Sequence, residues 1–149
     1  MLIVNSEIFG GAGGTPFRES SQEITGIERI KIYYGQFVDR LDVTYTLRDG
    51  ERLLRTYGGG DAAESKEIIF ADDERLCGIN IRSGEFVDSL SSMTYGIFGL
   101  AGMRKYGPFG GPGGQNCTIL SPNIREFFGR AGIFVDAIGV RCEEPMVVC

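Results

Sequence analysis

An all-β domain of three similar units is the fold that the chain predicts, and a repeated loop, a set of glycine clusters and an alternating apolar pattern predict it. Gly35-Gln36-Phe37-Val38-Asp39, Gly84-Glu85-Phe86-Val87-Asp88 and Gly132-Ile133-Phe134-Val135-Asp136 start 49 and 48 residues apart in a chain of 149. No other glycine has an aspartate four residues on. A period near one third of the length implies one structural unit used three times, each presenting the same loop. Glycine clusters at Gly10 to Gly14, Gly58 to Gly60 and Gly110 to Gly114 precede the pentapeptides, each after an aromatic residue, Phe9, Tyr57 or Phe109. The whole chain, 1–149, is long enough for one domain with a real core, divided at these clusters into units 10–57, 58–109 and 110–149 with 1–9.

In the first unit Ile30, Ile32 and Tyr34 alternate with Arg29, Lys31 and Tyr33, and Leu41, Val43, Tyr45 and Leu47 alternate with Asp42, Thr44 and Thr46. That is the period of strands with one buried face. Arg48-Asp49-Gly50-Glu51 supplies a hairpin turn, and the chain returns through Leu53, Leu54 and Tyr57. The second unit runs through Ile68, Ile69 and Phe70, turns at Asp72-Asp73 and continues through Leu76, Ile79 and Ile81. Beyond its pentapeptide Ser92 and Thr94 replace the apolar residues of the first unit, so Met93 is expected to turn inward at a bulge. The third unit has Ile119, Ile124, Phe127 and Phe128, then Ile138 and Val140. Asn123 to Arg130 is compatible with a helix, but alignment with the other units makes it a strand. Only Glu143 to Cys149 follows Val140, which leaves this unit one strand short; Leu2-Ile3-Val4, just before Phe9, fills the gap and closes the last sheet. The same alignment pairs Asp39 with Gly58 to Gly60, Asp88 with Gly110 to Gly114, and Asp136 with Gly10 to Gly14.

The loop chemistry points to recognition. A glycine lets the chain turn sharply and aim successive amides outward, and an aspartate four residues later accepts hydrogen bonds beside them. Backbone donors next to one ionised acceptor suit a neutral polyhydroxylated ligand, whose adjacent hydroxyls donate and accept. The alternative is a turn whose aspartate caps its own backbone, but such turns rarely need Phe-Val-Asp three times.

Other classes fit poorly. A net charge of −5 without any Lys/Arg run argues against nucleic acid. No apolar run approaches a membrane span, and the N-terminus lacks a basic region, so a cytoplasmic protein, or a mature secreted form, is expected. With no histidine and no metal spacing among Cys77, Cys117, Cys142 and Cys149, neither a metal site nor a cofactor is expected. The thiols are expected reduced, although an even count allows two disulfides and Cys149 could cross-link chains. Hydrolysis of a glycoside needs two carboxylates across one bond, and calcium needs six to eight oxygens, whereas each loop repeats one aspartate. No catalytic residue is assigned. The glycine clusters lead into no helix, which argues against a nucleotide loop.

The runs Phe9 to Phe17, Tyr106 to Gly114 and Phe127 to Gly132, together with the three loops, resemble the jacalin-related lectins over essentially the whole chain. The resemblance implies a β-prism I fold, three four-stranded Greek-key sheets with pseudo-threefold symmetry. It also implies metal-independent, reversible binding of glycans and assembly as a homodimer or higher oligomer. Carried over, it makes the Asp136 carboxylate the acceptor for two sugar hydroxyls, O4 and O6. The amides of Ile133 and Phe134 then meet O5 and O6, and that of Gly14 meets O3, with Gly132 opening the loop. The same roles fall on Gly84, Glu85, Phe86, Asp88 and Gly114, and on Gly35, Gln36, Phe37 and Asp39. For the last site Gly60 is the candidate turn partner, since Asp61-Ala62 stands where the other turns have Gly-Gly. Members with three sites carry tyrosine where this chain has Phe37, Phe86 and Phe134, which leaves an apolar face. Glu85 beside Asp88 disfavours anionic sugars. Galactose-preferring members have a chain cut at the first glycine turn; here it is intact, which implies mannose or glucose. A prism that serves protein interaction or structure without binding sugar is the alternative.

Overall fold

The computed structural model describes residues 2–19, 23–60, 62–96 and 103–149. In chain order the strands are β1 (Ile3–Asn5), β2 (Phe9–Gly10), β3 (Thr15–Phe17), β4 (Ile24–Tyr34), β5 (Val38–Leu47), β6 (Arg52–Gly58) and β7 (Glu64–Ile69). They continue as β8 (Glu74–Ser83), β9 (Val87–Gly96), β10 (Met103–Gly110), β11 (Gln115–Leu120), β12 (Ile124–Ala131), β13 (Val135–Glu143) and β14 (Met146–Val148). Among the described residues there is no helix, and the stretch at Asn123 to Arg130 is strand β12.

Three sheets form the sides of a prism. In the first, of order β6-β5-β4-β7, three strands meander and the fourth returns beside the first of them, a Greek key. The second repeats this order as β10-β9-β8-β11. In the third, β13 and β12 lie between β1 with β2 on one edge and β3 on the other. The register Ile3↔Glu143 and Val4↔Cys142 shows that the N-terminal strand does close the last sheet.

The sheets do not end where the glycine clusters do. The strand after each cluster pairs back onto the sheet before it, as in Ile30↔Ile68 and Ile79↔Ile119. Ile68 and Ile119 therefore belong to the first and second sheets, not to the second and third units. The second sheet also carries a fifth strand, because β14 pairs with β11 through Ile119↔Val147.

The alternation sets the core. Ile30, Ile32, Leu41, Val43, Ile79, Ile81, Leu90, Phe127, Ile138 and Val140 are buried in one cluster at the prism axis. Tyr45 crosses it: its hydroxyl meets that of Tyr57 at 2.9 Å and accepts from the Phe127 amide at 3.1 Å, so two sheets share a satisfied polar group. Burial pushes the Tyr45 phenol well above its ordinary value.

Two expectations need correction. Ser92 and Thr94 face inward and are buried, while Met93 between them is only partly so. The bulge falls on the opposite strand, between Leu76 and Gly78. Polar side chains are tolerated there because Thr94 donates to buried Glu74, which also accepts from the Ala71 amide at 3.0 Å and the Tyr106 hydroxyl at 3.3 Å. Burial alone would raise the Glu74 carboxyl; these donors, Thr94 first, hold it below the usual range. Nor are the cysteines all reduced. Cys117 and Cys149 form a disulfide that ties β14 to the second sheet, leaving Cys77 and Cys142 as thiols. The residues are 32 apart in sequence, and only the strand pairing brings them together.

Candidate functional site

The three pentapeptides lie at one end of the prism, between the two central strands of each sheet. Each begins in the same tight turn: the amides of Gly35, Gly84 and Gly132 donate to the carbonyls of Phe37, Phe86 and Phe134 at 3.0, 3.0 and 2.9 Å. The turns bring the phenylalanine rings together on the pseudo-threefold axis. Their centroids lie 5.1, 5.3 and 5.0 Å apart at interplanar angles of 57–62°. This edge-to-face triangle fixes the loops relative to one another. The rings thus bind the three units together at the prism end.

Each aspartate meets the glycine turn aligned with it. The amides of Gly11, Gly111 and Gly59 donate to the backbone carbonyls of Asp136, Asp88 and Asp39 at 2.9, 2.9 and 3.2 Å. The carboxylates then reach along the turns. A Cβ on Gly13 or Gly14 would stand 2.6 Å from an Asp136 oxygen, and one on Gly113 2.7 Å from Asp88 Oδ2. Gly60 lies further from its partner, 3.3 Å by the same measure from Asp39 Oδ2. Gly14 and Gly114 have φ of +70° and +77°, a left-handed conformation that side chains resist. Ala62 does not adopt it, so the first-sheet turn follows another course; Asp61 lies outside the described residues.

Two residues that the sequence reading missed brace these turns. Arg130 donates from Nε to the Gly13 carbonyl and from Nη2 to that of Gly14, both at 2.9 Å. Arg82 does the same to Pro112 and Gly113 at 3.1 Å and Gly114 at 3.3 Å. The signal was present as an arginine two residues before Gly132 and Gly84. Tyr33 holds that position in the first sheet and donates to Asp42 instead at 3.1 Å.

The aspartates are buried to within 5–9% of full coverage. At Asp39 burial acts with no hydrogen bond to offset it, whereas Asp88 accepts from the Gly84 amide at the start of its own loop. Burial raises the Asp39 carboxyl above its ordinary value. Burial also raises Asp88, against the opposing pull of Arg82 and the Gly84 amide. A carboxylate has about four lone-pair sites, so one loop amide leaves Asp88 with acceptor capacity at the edge of its glycine turn. Each arrangement places a carboxylate acceptor against a glycine turn at the prism end.

Comparison with known proteins agrees with this fold. The family model of the jacalin-like lectin domain matches residues 6–141. Griffithsin from Griffithsia sp. (strain Q66D336) is 28% identical over 136 residues, covering 91% of this chain and 94% of that protein. An agglutinin of Castanea crenata is 31% identical over 146 residues, of which this chain spans 45% of the length. The structure superposes on a mannose-binding jacalin-related lectin from Ananas comosus with a TM-score of 0.82 and 28% identity, covering 95% of this chain and 97% of that one. The repeated loops, the three-sided prism and this match over most of its length make the chain a member of the jacalin-like lectin domain family.

Proposed function

We propose that this lectin binds neutral glycans of the mannose or glucose type, reversibly and without a metal ion, through shallow sites centred on Asp136, Asp88 and Asp39. The observation that carries the reading is the opposition of each buried carboxylate to a glycine turn. In the two better-formed sites Asp136 and Asp88 accept from sugar hydroxyls, the amides of Ile133, Phe134, Glu85 and Phe86 donate, and Gly14 and Gly114 add a donor from the opposite wall. Each charge-assisted hydrogen bond contributes about 1.5–3 kcal/mol when desolvated. A pocket open to water holds one ring weakly, so several sites per chain raise the apparent affinity for branched glycans. The Asp39 site, with Gly60 further off and no arginine brace, is the weakest. The reaction class is recognition, not turnover, since each loop repeats one carboxylate where bond cleavage needs two. The description of the Ananas comosus protein as mannose binding favours mannose. A glycan array tests this: mannose-rich glycans are retained by the native chain and lost by the Asp88→Asn, Asp136→Asn double variant. A blank array for the native chain overturns the reading.

A further inference from the structure

The three sites are not independent dents. Gly11, in the turn of the Asp136 site, is pressed against the backbone of Glu85, which belongs to the loop of the Asp88 site: a Cβ on Gly11 would stand 3.0 Å from the Glu85 Cα. Gly111, in the turn of the Asp88 site, meets the backbone of Gln36 in the same way, 3.5 Å from its Cα. Gly59, in the turn of the Asp39 site, donates to the carbonyl of Ile133 at 3.3 Å. The contacts run in one direction round the prism end, each loop closing on the turn of the next site. The second residue of every pentapeptide therefore stands between two aspartates, and Gln36, Glu85 and Ile133 are all exposed.

We propose that the second residue of each loop selects ligands for the neighbouring site as well as its own, so that Glu85 makes the Asp136 site discriminate against glycans carrying a carboxylate next to the bound mannose. The proposal rests on the sugar-binding reading above. A monosaccharide ring held by Asp136 lies across the turn from Gly11 to Gly14, and its next sugar residue passes either outward or over the rim where Glu85 begins. Charge on that residue meets two carboxylates, Glu85 and Asp136. The Arg130 guanidinium beside this turn is already engaged by the Gly13 and Gly14 carbonyls. At the Asp88 site the same rim position is neutral, Gln36, and at the Asp39 site it is apolar, Ile133. The ring of contacts thus turns three near-identical loops into three sites of different outer selectivity, which a count of Gly-x-Phe-Val-Asp motifs does not reveal.

The test isolates one site at a time. In an Asp39→Asn, Asp88→Asn background only the Asp136 site remains; in an Asp39→Asn, Asp136→Asn background only the Asp88 site remains. Calorimetry at low salt measures the ratio of Kd for a mannose–glucuronic acid disaccharide to Kd for the matching mannose–glucose disaccharide, with and without Glu85→Gln. The expected result is a fall in that ratio of about threefold in the Asp136-only protein, the size of one unit-charge repulsion at the protein surface, and its disappearance at high salt. A ratio that moves only in the Asp88-only protein, or in neither while the neutral disaccharide still binds, overturns the proposal and leaves the lectin reading standing. Failure of both folded proteins to bind the neutral disaccharide overturns the lectin reading itself.

Discussion

Asp136 Oδ2 lies 2.6 Å from the point at which a methyl group on Gly13 would be placed. The carboxylate and the turn are in van der Waals contact, so the acceptor position depends on there being no side chain opposite. Gly113 bears the same relation to Asp88 Oδ2, at 2.7 Å. Gly13→Ala must push the Asp136 carboxylate aside or open the turn. The expected outcome is a loss of about tenfold or more in affinity for methyl α-mannoside at that site, comparable to losing one charged hydrogen bond. Titration of the Asp39→Asn, Asp88→Asn protein carrying Gly13→Ala checks it.

Arg130 and Arg82 are half-buried and hold their turns by hydrogen bonds to carbonyls, and these bonds lie open to solvent, which limits what each contributes. Arg130→Ala is expected to weaken mannoside binding at the Asp136 site by about fivefold, equivalent to ~1 kcal/mol, through a looser turn. Tyr33→Ala leaves the glycine turn of the Asp39 site without comparable change. Calorimetry on single-site variants separates the two outcomes.

Acid should release the ligand. Burial raises the Asp39 and Asp88 carboxyls in the folded chain, so their protonated forms favour folding below the unfolded pKa, and that contribution is lost as pH rises through the folded pKa. Sugar hydroxyls require the ionised form. Affinity at these two sites therefore falls as pH drops, beginning above the ordinary aspartate value of about 3.9. A mannoside titration series from pH 7 to pH 4 measures this, and asparagine at position 88 is expected to leave thermal stability at neutral pH equal or higher.

The Cys117–Cys149 disulfide closes a separation of 32 residues. By the loop-entropy relation its removal in Cys149→Ser costs about 3–4 kcal/mol and lowers the melting temperature by about 10 °C. β14 lies on the edge of the second sheet and the Asp136 loop on the third, so mannoside binding at Asp136 is expected to persist. Calorimetric melting and a titration of the same sample test both parts.

Much of this was legible in the chain. The period of the pentapeptide located the three equivalent loops, and alignment of the units matched each aspartate with its turn, because both features repeat locally. The closing of the last sheet by Ile3 and Val4 followed from a missing strand. Sheet boundaries were harder: Ile68 and Ile119 carry the same alternation as the strands they precede, and nothing local shows that a Greek-key return sends them back to Ile30 and Ile79. The disulfide, the bulge opposite Met93 and the phenylalanine triangle depend on register and on contacts between units. Arg82 and Arg130 were visible as a repeat, but their targets, carbonyls 31 residues along the chain from Arg82 and 116 from Arg130, were not.

The central claim is that the three carboxylates hold sugar hydroxyls, and titration of methyl α-mannoside into the native chain and into the Asp39→Asn, Asp88→Asn, Asp136→Asn variant tests it most directly. The account predicts more than one sugar per native chain and no measurable binding by a triple variant that melts cooperatively. Equal binding by the two proteins would contradict it.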